Sequence, residues 1–188
     1  MTHQEIVNKV KSILNEHGGD DGLSIGTDRV LLDDYIKVAI PDAVTMLAVK
    51  GYAVNRALVG PFNDWEDVEH PGYVSLIRVE CSGWNRIVTR VTEIGSPEYA
   101  MAQNEFTKPG INTPMVVMKY GYLTGMPIPE GGYSIVVEYN KAYDGQTLNA
   151  GEKEATAVCY MAAAIVLGLF GDDQGKQRLS DLSTNMLQ

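Results

Sequence analysis

The chain has little of what catalytic and metal-binding proteins depend on. Of its 188 residues, two are cysteine and three are histidine. Cys81 falls in a strand pattern and Cys159 in an apolar helical one. They form neither a CxxC pair nor a disulfide framework, which points to two buried free thiols in a reducing compartment. His3, His17 and His70 are too dispersed to assemble a zinc site. Positive charge is scarce as well: the 15 Lys and Arg never form a run, and against 24 Asp and Glu they leave a net charge of −9. A nucleic-acid reader needs a clustered basic face, so this chain is expected to repel a polyanion rather than grip it. The most apolar stretch, residues 155–170, is shorter than the roughly 20 residues a membrane-spanning helix needs. The start, Met1-Thr2-His3-Gln4-Glu5, has neither a basic region nor an apolar run. No signal peptide is therefore expected, and the protein is expected to stay in the cytosol. Internal repeats and low-complexity tracts are absent too.

What is present is a hydrophobic fraction of 45%, ample for a core, in a length that favours one domain over 1–188. Helical periodicity occupies the ends and strand alternation the middle, giving a helical part at 1–51, a β-rich part at 72–140 and a helix hairpin at 152–187. The fold class expected is α+β, with N-terminal helices, a central antiparallel β-sheet with hairpins, and a C-terminal helix hairpin. The middle is too short to make a strong globule by itself. The two ends are expected to pack together and hold the sheet between or beside them.

Thr2 and Glu5 make a capping box ahead of Ile6, Val10, Ile13 and Leu14 on one helical face, and Gly18-Gly19 ends that helix. A second helix is expected from about Leu32 to Lys50, with an apolar stripe of Tyr35, Ile36, Ala39, Ile40, Ala43, Val44 and Leu47 and acids at its start. Pro41 interrupts it with a kink or a break, and the unbroken register of the stripe favours the kink. Residues 51–72, with Pro61, Pro71 and four acids around Trp65, read as a long connection. In the first strand Ile77, Val79 and Cys81 alternate with Arg78, Glu80 and Ser82, and Ser82-Gly83 turns the chain into a hairpin partner at 86–91. Ser96 caps a short helix with Pro97 at its first position. Strands at 114–123 and 133–139 follow, joined by a loop whose tip, Met126, Pro127, Ile128 and Pro129, exposes apolar groups. The closing helix 155–170 is apolar nearly all round and needs cover on most sides, from its own chain or from neighbouring subunits.

Motifs that resemble catalytic signatures fail on context. Gly22-Leu23-Ser24-Ile25-Gly26 matches GxSxG, but an acidic, glycine-rich turn precedes it where a buried strand is required. Its only downstream histidine is His70. Gly171-Asp172-Asp173-Gln174-Gly175-Lys176-Gln177 is one residue short of a phosphate loop and lacks the hydroxyl that holds magnesium, so a helix-hairpin turn is expected there. Asp64, Glu66, Asp67 and Glu69 lack the EF-hand glycine and terminal glutamate. They read as a solvated loop, with weak calcium binding as the alternative. No catalytic, metal-binding or cofactor-binding residue is assigned, and no enzymatic activity or cofactor is expected.

Ser82-Gly83-Trp84-Asn85-Arg86-Ile87-Val88, followed by Ser96-Pro97-Glu98-Tyr99-Ala100-Met101-Ala102-Gln103-Asn104, resembles the middle segment of structural proteins from tailed phages of gut Bacteroidetes, including the crAss-like group. Leu32-Asp33-Asp34-Tyr35, Ile40-Pro41-Asp42-Ala43 and the closing apolar helix are similar too, while Ile87 stands where relatives are expected to carry proline. The order of helices, sheet and helix hairpin also resembles the gatekeeper or tail-tubular protein of short-tailed phages. The resemblance implies a head-to-tail connector of the virion, assembled in the bacterial cytoplasm as a closed ring of about a dozen copies below the portal. It implies the portal and tail proteins as partners, DNA passing through the channel without specific binding, and no membrane. Trp84 and Arg86 are then candidates for a subunit interface, since aromatic and arginine residues dominate interface energetics. The alternative is intramolecular, with Trp84 in the core and Arg86 covering it. Met126, Pro127, Ile128 and Pro129 are candidates for facing the channel or a tail partner, or form a passive loop. The competing functions are another tail or baseplate protein and, from a different class, a small cytosolic enzyme or ligand-binding protein.

Overall fold

The computed structural model of the chain describes residues 1–17 and 29–188. The Gly18-Gly19 helix stop, the Asp20-Asp21 pair and the GxSxG pattern lie outside the described residues. The chain folds as two compact units, one made of its ends (Met1–Arg56 with Ala142–Gln188) and one of its middle (Ala57–Lys141).

In the unit of the ends, α1 (His3–His17) starts from the expected capping box. Thr2 N–H donates to Glu5 Oε2 at 2.8 Å and Glu5 N–H returns a bond to Thr2 Oγ1 at 3.4 Å. These bonds hold the Glu5 carboxyl below its ordinary pKa. α2 (Arg29–Val49) begins earlier than its pattern suggested, so Asp33 and Asp34 fall beyond its first turn. It runs through Pro41 unbroken, and the stripe is fully buried at Ile36, Ala39, Ile40, Ala43, Val44 and Leu47, while Tyr35, also expected on it, stays exposed. A Lys11–Asp33 ion pair of 2.5 Å ties α1 to α2.

α4 (Glu152–Leu169) packs against α1, α2 and α5 (Asp173–Leu187), which explains why it is apolar on nearly every side. Its cover comes from its own chain. The turn between α4 and α5 is built to stop one helix and start the next. Gly171 takes a left-handed φ of 81°, Asp172 N–H bonds Leu167 O at 3.0 Å, and the Asp172 carboxylate caps Gly175 N–H at 2.8 Å. The residues that resembled a phosphate loop are thus a helix-hairpin turn. Ser183, buried between the two helices, donates to Ala157 O at 2.8 Å. Burial in α4 pushes the Cys159 thiol up to about 11 and leaves it protonated at neutral pH. No helix among the described residues is long and apolar enough to cross a membrane.

The middle unit holds two three-stranded sheets rather than one. The first has the order β1-β6-β2, from β1 (Arg56–Phe62), β2 (Tyr73–Cys81) and β6 (Ile135–Lys141), with β2 and β6 antiparallel. The second, β3-β4-β5, joins β3 (Val91–Thr92) in parallel to β4 (Met115–Lys119) and β4 antiparallel to β5 (Tyr122–Met126). Four expectations change. The connection 51–72 contains β1, an edge strand, where Pro61 is tolerated because no ladder donor is needed on the open side. The expected hairpin after Cys81 shrinks to one bridge, Val79 with Val88. The single strand 114–123 is a hairpin turned at Tyr120-Gly121, both with positive φ. A bulge inserts Ile77 between the paired Leu76 and Arg78, so Leu76 rather than Ile77 joins the core.

This unit builds a core of its own from both sheets: Val79 and Cys81 on β2, Ile135, Val137 and Tyr139 on β6, Val116 and Leu123 on β4 and β5, and the two tryptophans Trp65 and Trp84. α3 (Pro97–Ala102) lies between β3 and β4, and its Ser96 cap accepts from Tyr99 N–H at 3.1 Å as expected.

Candidate interaction surface around Trp84 and the 126–129 tip

The chain leaves β2 through a tight turn in which Trp84 N–H donates to Cys81 O at 2.9 Å. The turn carries the Trp84 ring inward, where it is 8% exposed and stacks on Trp65 with centroids 5.6 Å apart and planes 27° apart. Trp65 comes from the acidic connection, with Asp64, Glu66 and Asp67 exposed around it while its own ring is buried. Trp65 and Val68, three apart, were the signal that this connection turns a side into the core. Among the described residues no group of three or more His, Cys, Asp or Glu is arranged to hold a metal ion.

The two stretches that the sequence marked as separate candidates meet here. The Trp84 indole N–H donates to Pro127 O at 2.9 Å. Gly83 faces Pro129 so closely that a Cβ on it would overlap the proline ring. Gly125, buried just before the tip, lies against Trp65, and a Cβ there would overlap the indole. The tip Met126, Pro127, Ile128 and Pro129 is therefore clamped from below. Met126, Pro127 and Pro129 are half-buried, while Ile128 is exposed. Trp84 is placed in the core, and Arg86 stands exposed beside it with no ion pair among the described residues.

Arg86 and Ile87 form a wall shared by two shallow cavities. One of about 300 Å³ is lined by Trp84, Glu80, Val136 and the Cys81 turn. The other, about 380 Å³, is bounded by Val88, Thr113 and Pro114. The larger frame is stiff: Asn85 N–H bonds Ile111 O at 2.9 Å and Asn85 Nδ2 bonds Asn112 Oδ1 at 2.7 Å. On the outer face of the first sheet Arg78 is held by Glu138 at 2.6 Å and Glu80 at 2.5 Å, and these bonds, that to Glu138 foremost, raise its pKa. The lining of the first cavity contains no histidine, and its Ser82 hydroxyl already accepts from Ser134 N–H at 2.9 Å. Such a surface offers shape, one free guanidinium and apolar walls.

No protein-family model matches the chain, and no curated protein matches it either.

Proposed function

We propose that the chain is a structural virion protein of a tailed phage, assembled in the host cytoplasm, that forms a ring in the head-to-tail neck below the portal, extends the DNA channel and docks the tail. The observation that carries this reading is how segment 82–104, the part that resembles phage structural proteins, is built. Its tryptophan is locked onto the 126–129 tip, and Arg86, Ile87 and Ile128 are left exposed instead of converging on a reacting centre. Elsewhere in the same unit Phe106, Tyr120 and Tyr122 are also exposed, apolar area that association would remove from water. A net charge of −9 is compatible with a channel wall to which DNA does not adhere.

The partner test is direct. Mixed with the portal protein of the phage that encodes it, the chain is expected to add about a dozen copies to each portal, read as a mass increase by mass photometry. A portal whose mass stays unchanged contradicts the reading.

A further inference from the structure

Among the described residues, Asp144-Gly145 is the one place where an aspartate or asparagine precedes a glycine. The pair is exposed on the stretch that leads to α4, and Gly145 takes a left-handed φ of 83°. The Asp144 carboxylate folds back along its own backbone, Oδ1 accepting from Gln146 N–H at 3.0 Å. The peptide nitrogen in between, that of Gly145, makes no hydrogen bond among the described residues. Glycine brings no side chain to shield it, and open space surrounds the position a Cβ would take. A carboxyl carbon thus lies next to an uncommitted, unscreened amide nitrogen on the same short turn.

We infer that Asp144 is a modification site, where the backbone isomerises spontaneously through a cyclic imide. The Gly145 nitrogen attacks Cγ of the protonated Asp144 carboxyl: a C–N bond forms, a C–O bond breaks, and the hydroxyl leaves with the amide proton as water. Water then adds back to one of the two imide carbonyls. Addition at Cγ restores aspartate, whereas addition at the main-chain carbonyl leaves isoaspartate, with the chain now running through Cβ and Cγ. No electrons change hands, and water is the sole co-reactant. The position gives the change a consequence. On one side the Tyr143 hydroxyl lies 3.0 Å from His3 Nδ1. On the other, His3 N–H donates to Gln146 O at 2.8 Å and Leu148 N–H to Met1 O at 2.8 Å, around the Thr2–Thr147 bridge. Asp144 and Gly145 therefore span two anchors on the same N-terminal stretch. An extra backbone atom between those anchors, with the Oδ1 bond lost, puts the pairing out of register.

The test keeps the full chain folded at neutral pH and body temperature in water enriched in heavy oxygen, and maps its peptides by electron-transfer fragmentation. Isoaspartate carrying heavy oxygen is expected at residue 144, accumulating faster than at any other described aspartate. Asp144→Glu should abolish it, because the carboxyl carbon then stands one bond too far away. The isoaspartate form, separated by chromatography, should melt about 2–4 °C below the unmodified chain, the shift that losing about one hydrogen bond produces at this chain length. A chain that isomerises at 144 in urea but not when folded overturns the inference, because the native turn then protects the site. Absence of isoaspartate in both states overturns it as well. An isoaspartate form that melts with the unmodified chain overturns the link to the N-terminal pairing.

Discussion

Replacing Trp84 with alanine is expected to lower the unfolding free energy of the chain by about 3–5 kcal/mol, the range for removing a buried tryptophan from a packed core. Three losses add up at this position. The stack on Trp65 disappears, the cavity that remains is bounded by the rigid Cys81 turn, and Pro127 O loses its donor. The last loss is separable. Trp84→Phe keeps most of the packing but forfeits the hydrogen bond, with an expected cost of about 1–2 kcal/mol. Trp65→Phe forfeits no such bond, because the buried Trp65 Nε1 has no hydrogen-bond partner among the described residues. Urea unfolding followed by the fluorescence of the remaining tryptophan measures all three variants. If Trp84→Ala shifts stability by less than about 0.5 kcal/mol, as surface substitutions do, Trp84 does not clamp the tip.

Gly125→Ala is expected to destabilise the middle unit by about 3 kcal/mol. The reason is not backbone freedom, since Gly125 has no positive φ. The added methyl overlaps the Trp65 indole, which is 4% exposed and cannot swing away. A double-mutant cycle with Trp65→Leu isolates that overlap. The cost of the alanine should fall by about 1–2 kcal/mol once the indole is gone. An equal cost in both backgrounds means that something other than the ring rejects the methyl.

How far the fold was legible follows from which forces are local. The Thr2–Glu5 box, the Ser96 cap and the glycine stop after α4 are each satisfied within a few residues, and all three read correctly from sequence. The apolar stripe of α2 was legible for the same reason. β1 was not, because Gly60 and Pro61 resemble loop residues unless the strand is known to lie at an edge. The Tyr120-Gly121 turn was hidden because tyrosine is an unusual residue at positive φ. The Ile77 bulge shifts the phase of β2 by one residue, which alternation alone cannot reveal.

At the candidate surface, the residue types were visible and their meeting was not. Trp84 and Pro127 lie 43 residues apart, so their hydrogen bond is a product of tertiary packing. Trp65 was masked by its acidic neighbours, whose side chains stay in water while the ring turns inward. Phe106 carried no signal beyond its polar surroundings, since only the structure shows that it is uncovered.

The ring itself is the central claim, and end-on electron microscopy of the purified chain bound to its portal tests it most directly. The expected image is a closed ring with a central opening and about a dozen equivalent subunits matching the portal symmetry. Particles showing bare portal beside free monomer would contradict it.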